Sequence, residues 1–178
     1  MEKSKEIGPF FSEEYRDYIT EIHKKIPHWG RTRKRLVRFY KFLHDERVTS
    51  FVDYGCGKGW LEYFMDPMPV SSYDPMVEEF SNPDYKSQGW LVCLDVLEHV
   101  EEKYLDNVLR HIYRSFVHKA LFYISWADTD IFPDGTDAHI TKHDFHWWYL
   151  RLTKYFVVEQ IELKHADMGA FYIVTKRR

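Results

Sequence analysis

Four side chains in the second half of this chain have the types and spacing to move a proton. Asp95, Glu98 and His99 fall within five residues of one another, and His139 follows 40 residues after His99. Carboxylates and imidazoles in a polar cleft are ordinary general acids and bases, able to expose a lone pair on an oxygen or nitrogen. The run Trp90 to Leu97 (WLVCLDVL) that carries Asp95 is apolar and bounded by Gly89, which suits a strand covered on both faces. A carboxylate inside such a run is costly unless it is satisfied, so Asp95 marks the strand's exit into a cleft. Glu98 and His99 also stand where a helix begins, and a helix cap is the competing reading.

A second constellation lies upstream. Phe51-Val52-Asp53-Tyr54 reads as a buried strand running into Gly55-Cys56-Gly57-Lys58-Gly59, with a helix expected from Trp60 to near Pro67. Glycines so closely spaced suit a tight turn with positive φ and a backbone that a ligand can approach. The helix start adds free N–H groups, so the turn suits a carboxylate, a phosphate or a ribose-bearing cofactor. Val70 to Asp74 reads as the next strand. Asp74, 19 residues past Gly55, then sits at a carboxyl end, where ligands of parallel sheets gather. A carboxylate there can accept both hydroxyls of a ribose, although a turn-starting Asp before Pro75 would look the same.

The glycine spacing is G-x-G-x-G with an acid two residues ahead, not the G-x-G-x-x-G of dinucleotide binders. Asp53-x-Gly55-x-Gly57-x-Gly59 resembles motif I of class I S-adenosylmethionine-dependent methyltransferases. Asp95-Val96-Leu97-Glu98-His99-Val100 resembles the segment after the fourth strand of many small-molecule members. Tyr73-Asp74-Pro75 and the stretch Pro133 to Trp148 (PDGTDAHITKHDFHWW) are similar to small methyltransferase-domain proteins of bacteria and their phages.

The resemblance covers roughly residues 48–176. It implies a Rossmann-like α/β fold: a mostly parallel central sheet flanked by helices, closed by a C-terminal antiparallel hairpin. It also implies S-adenosyl-L-methionine as cofactor, held at Asp53, Gly55, Cys56, Gly57, Gly59, Asp74, Pro75, Leu94 and Asp95. Asp95, Glu98, His99 and His139 would be the catalytic group beside the transferred methyl. Asp95-x-x-Glu98-His99 with a later His is also similar to the metal-ligand set of certain O-methyltransferases, which place Glu where this chain has Asp95. Mixed carboxylate and imidazole ligation would suit a divalent transition metal, so a metal is possible although none is assigned. The implied reaction is methyl transfer to an O or N atom of a small or sugar-like acceptor.

The remaining elements must position these groups. Residues 12–26 suit a helix capped by Ser12 and ended by Pro27, with Tyr15, Ile19, Ile22 and Ile26 on one face. A second helix spans roughly Thr32 to His44, and residues 1–45 would cover the site. Residues 76–89 are too few for the usual third strand and helix, which leaves Asp84 as a candidate for the adenine side. A helix over 101–116, a strand over 120–126, and a helix capped through Thr141 and Asp144 come next, with Phe145, Trp148, Tyr149 and Leu152 inward. Strands at 157–163 and 170–175 close the chain. His143 and His146 read as surface or satisfied histidines on a helix and Cys93 as core.

At 178 residues, 18% of them aromatic, the chain suits one packed domain, residues 1–178. Its net charge of −3 gives no overall basic signature. A local basic group (Lys24, Lys25, Arg31, Arg33, Lys34, Arg35, Arg38) is either a solvated helix face or a surface for an anionic partner such as RNA. A small-molecule acceptor, or a cofactor-binding protein without turnover, are the other readings. Two cysteines, no signal-like start and no apolar run of membrane length point to a cytoplasmic protein without a membrane partner. No Asn/Asp-Pro-Pro-aromatic follows the fourth strand, which argues against exocyclic-amine methylation of DNA bases, and no Pro-Cys lies there, which argues against a cysteine nucleophile at C5 of a pyrimidine.

Overall fold

A computed structural model describes residues 8–26, 36–82, 88–128, 132, 134–164 and 168–177. Helices α1 (Glu13–Lys25) and α2 (Leu36–Asp45) precede strand β1 (Phe51–Tyr54), helix α3 (Trp60–Met65) and strand β2 (Val70–Tyr73). Then follow β3 (Gln88–Leu94), α4 (Glu102–Ser115), β4 (Phe116–Ser125), α5 (Phe145–Thr153), β5 (Phe156–Lys164) and β6 (Gly169–Lys176). The six strands form one sheet in the order β2-β1-β3-β4-β6-β5. The first four are parallel, and β6 and β5 run antiparallel, giving the hairpin that the sequence predicts.

Alternation along each central strand builds two apolar layers. Val52, Tyr54, Leu91, Cys93, Phe122, Ile124 and Tyr172 face one side, against Leu105, Leu109 and Ile112 of α4 and Trp148 and Leu152 of α5. Phe51, Val92, Leu94, Leu121, Tyr123 and Phe171 face the other, against Phe39, Phe42 and Leu43 of α2 and Leu61 of α3. Both faces are covered, which is why β1, β3 and β4 read as continuous apolar runs instead of alternating ones. Truncating one of these side chains, Leu109 for example, would cost about 2–5 kcal/mol through lost transfer energy and the cavity left.

Between β2 and β3 the described residues form a single 3₁₀ turn, Glu78–Phe80, so β2 is an edge strand. This agrees with the expected shortening; Asp84 lies outside the described residues. The N-terminal segment packs where α4 meets this end of the sheet. The Phe10 ring lies tilted against His111 with 4.7 Å between ring centres, and His111 Nδ1 bonds Tyr54 Oη at 2.9 Å.

Several boundaries differ from the sequence reading. Strand β4 begins at Phe116, four residues early, because Phe116 is fully buried in the sheet's own core and not on the preceding helix. Strand β3 stops at Leu94, since Asp95 takes φ 55°, a left-handed conformation that no strand continues through. The cap of α5 is Asp144 alone, accepting from Trp147 N–H, while the Thr141 hydroxyl donates to Val100 O at 2.6 Å.

The basic group also changes character. Arg38 is 7% exposed and pairs with Glu162 at 2.7 Å, so it serves packing of α2 on the sheet. Lys24 and Lys25 share Glu21. Arg31, Arg33, Lys34 and Arg35 lie outside the described residues. Among the described residues, no helix is long and apolar enough to cross a membrane.

Candidate functional site

The turn after β1 is built as its glycines require. Gly55, Gly57 and Gly59 have φ of 77°, 55° and 68°. The backbone N–H groups of Gly55 and Cys56 both donate to Tyr73 O, at 2.8 and 3.2 Å, tying the turn to the end of β2. A Cβ on Gly55 would lie 2.4 Å from Val96 Cγ2, so that position is closed to any other residue. Helix α3 has only six residues. The donors on offer are therefore mainly those of the turn.

Asp74 faces this turn. Its Oδ2 accepts from Gly57 N–H and its Oδ1 from Met76 N–H, both at 2.9 Å. Asp53 sits beside it, buried in β1 and paired in register with Ser72. Burial, and then the charge of Asp74, push Asp53 up to about 8. Burial raises Asp74 to about 6, against the pull of its two backbone donors. Near neutrality Asp53 therefore holds a proton and Asp74 carries the charge, so two close acids do not repel. Cys56 is buried and its thiol is pushed up by burial and by these acids, which keeps it protonated. Pro75 is partly buried at the start of the following turn. Leu94 points into the sheet's apolar layer, leaving only its backbone toward the strand ends.

Beyond β3, Asp95 donates its N–H to Tyr123 O at 3.1 Å and leaves the sheet. Glu98 is fully buried and does not cap a helix: its Oε1 accepts from Ser125 N–H at 2.8 Å, and its carbonyl accepts from Thr141 N–H at 3.0 Å. It thereby fixes both ends of the loop that carries His139. His99 and His139 meet edge to face, 4.8 Å between ring centres. His99 Nδ1 lies 2.7 Å from Ala138 O, and His139 Nδ1 lies 2.8 Å from Ala127 O.

A carbonyl can only accept, so each Nδ1 carries the hydrogen and each neutral ring presents Nε2 as an acceptor. Burial and the neighbouring His139 hold His99 down to about 4. Burial also lowers His139, against the upward pull of Ala127 O and Asp137. Glu98 Oε1 stands 3.9 Å from His139 Nε2. The structure thus brings Glu98, His99 and His139 together. Among the described residues, no three His, Cys, Asp or Glu side chains form a set that would hold a metal ion.

Helix α1 lies over these loops. Tyr15 Oη donates to His99 O at 2.7 Å, Thr20 Oγ1 to Met76 O at 3.4 Å, and Lys58 Nζ to Ile26 O at 3.2 Å. Ile19 and Ile22 pack with Phe132 and Ala138. His23, on the same helix, is held down to about 4 by burial and by Lys58, and it also acts on His99. Sequence reasoning missed His23 and Phe80, whose ring lies against Gly59. The available signal for His23 was its position one turn after Ile19 and one before Ile26. Helix α2, in contrast, packs on the sheet face. His143 bonds Glu102 and stacks on Trp147 at 3.9 Å, His146 is exposed, and Cys93 is core, as the sequence predicts.

No protein-family model matches the sequence, and no curated protein matches it. Solved structures do. A 1,6-didemethyltoxoflavin-N1-methyltransferase from Burkholderia thailandensis, bound to S-adenosylhomocysteine, has TM-score 0.58 at 12% identity, covering 100% of this chain and 97% of that one. The methyltransferase domain of a bacterial CtHen1 has TM-score 0.56 at 15% identity, covering 79% and 97%. The 16S rRNA methylase RmtB has TM-score 0.52 at 12% identity, covering 96% and 77%. Its strand order, hairpin and these likenesses together show that the chain has the fold of class I S-adenosylmethionine-dependent methyltransferases.

Proposed function

We propose that this protein transfers the methyl group of S-adenosylmethionine to an oxygen or nitrogen of a small or sugar-like acceptor, in a reducing compartment such as the cytoplasm. The observation that carries the reading is the coupling of Asp74 to the glycine turn at Gly57, on the same edge as His99 and His139. Asp74 would accept the ribose hydroxyls, and the turn's backbone would receive the rest of the cofactor. The cofactor supplies an already activated methyl group, so positioning carries most of the rate. His139 Nε2, unprotonated because Nδ1 donates to Ala127 O, would take the proton from the acceptor. Glu98 keeps that imidazole in place by holding Ser125 and Thr141.

The groups around the imidazoles are acids and neutral rings, which suit a hydroxyl or amine more than a phosphate. Arg38 is buried against Glu162, and Lys24 and Lys25 pair with Glu21. Calorimetric titration with S-adenosylhomocysteine, followed by labelled S-adenosylmethionine against a panel of polyols, amines and short RNAs, tests this. Micromolar binding with label entering a polyol or amine is expected. Absence of binding overturns the reading; binding with no transfer to any acceptor leaves a cofactor-binding protein without turnover.

A further inference from the structure

Helix α1 touches each of the four connections that leave the carboxyl ends of the parallel strands. Lys58, in the turn after β1, donates to Ile26 O at 3.2 Å, and Thr20 Oγ1 donates to Met76 O, in the loop after β2, at 3.4 Å. Tyr15 Oη donates to His99 O, after β3, at 2.7 Å, and Ile19 and Ile22 pack with Phe132 and Ala138, after β4. One residue on the helix lies amid all of these contacts. His23 comes four residues after Ile19, three after Thr20 and three before Ile26, which makes those side chains its neighbours on the helix surface.

The isoleucines pack the helix down, and the imidazole at their margin adds a polar group where the helix passes over the cleft. His23 is only partly buried. Burial, and then the ammonium of Lys58, keep its ring neutral near pH 7, and it acts in turn on His99. It therefore stands between the glycine turn and the His99–His139 pair, on the side of the cleft opposite the strand ends. A neutral imidazole offers a lone pair to a donor. We infer that His23 is the second contact of the methyl acceptor: as His139 takes the proton at the methylated atom, His23 accepts a hydrogen bond from another hydroxyl or amine of the same molecule. The acceptor then carries at least two such groups, and a molecule with only the reacting one is held less well. The inference rests on the reading of the cleft as a methyl-transfer site.

Steady-state kinetics test it, on the polyol or amine of the panel that takes most label in the parent and on that compound with one hydroxyl or amine removed at a time. His23→Leu keeps apolar bulk beside Ile19 and Ile26, and should bind S-adenosylhomocysteine as the parent does. It should raise the acceptor KM by about five- to a hundredfold, the range for a buried polar group that loses its partner. Its kcat should change little, as when binding common to ground and transition state is removed. His23→Gln keeps a hydrogen-bonding group and should recover much of the loss. One of the trimmed acceptors should cost the parent a similar factor and His23→Leu nothing further. A parental acceptor KM in His23→Leu, or a fall confined to kcat, would overturn the assignment alone. A parent that binds no S-adenosylhomocysteine, or labels no member of the panel, would overturn it together with the methyltransferase reading.

Discussion

The carboxylate of Asp74 is bonded to the backbone of the glycine turn, with Oδ2 2.9 Å from Gly57 N. Its other oxygen holds Met76 N–H, so one buried acid joins the turn after β1 to the loop after β2. The shape of the cleft and the charge on Asp74 are therefore coupled. Both donors favour the ionised form, and burial outweighs them.

Binding of S-adenosylhomocysteine should follow the ionisation of Asp74. The ligand's hydroxyls need an acceptor, and protonation removes it. With the pKa raised to about 6, affinity should be level from that value up to the region near 8 where Asp53 ionises, and fall as pH drops below 6. The limiting slope is about tenfold per pH unit, because only the ionised fraction binds. Calorimetry from roughly pH 5 to pH 8 checks this, with Asp74→Asn expected to bind weakly and without that slope. A level affinity in the parent across the range would contradict it.

Gly55→Ala should destabilise the protein and abolish cofactor binding together. The residue sits at φ 77°, and a Cβ would stand 2.4 and 2.7 Å from the two methyls of Val96. Left-handed strain in a non-glycine residue costs about 1–3 kcal/mol, and the clash adds to it. Thermal or urea unfolding reads the loss. The double variant Gly55→Ala, Val96→Ala should recover only the part due to the clash. Full recovery would mean that the backbone conformation carries no strain.

Much of this was legible in the sequence, and the reasons differ by residue. The turn at 55–59 and the acid at 74 announce themselves because backbone geometry demands glycine and one strand–helix–strand step fixes the interval. Strands β1, β3 and β4 show as apolar runs because both sheet faces are covered. Glu98 was legible as a polar residue beside the cleft but not as the anchor of Ser125, since partners 27 residues apart are chosen by the fold. Arg38 looked solvated because periodicity places it beside apolar neighbours without revealing Glu162 on β5. His23 and Phe80 carry no motif at all. Their placement comes from how α1 and the 74–80 loop pack against the strand ends.

Removing the Glu98 side chain should cost more than removing its charge. Glu98→Ala leaves Ser125 N–H buried without its acceptor and opens a void, together about 2–4 kcal/mol. Glu98→Gln keeps an oxygen for that N–H and should lose about 1 kcal/mol or less. Denaturant unfolding of the two variants separates the effects. Equal losses would mean that the carboxylate's charge, and not its bond to Ser125, holds the loop.

His139→Gln should reduce methyl transfer while leaving S-adenosylhomocysteine binding close to parental. The amide can still donate to Ala127 O, but it has no basic nitrogen to receive a proton. Loss of a positioned base typically lowers kcat by about 10²–10⁴. In the parent, the rate should be level near neutrality and decline on the acid side below the ordinary imidazole value of 6.5, because burial lowers the pKa of His139 and keeps the ring neutral further down. Added imidazole should restore part of the rate to His139→Ala, which a purely structural role would not allow. Parental kcat in His139→Gln would remove His139 from the chemistry and shift the burden to positioning alone.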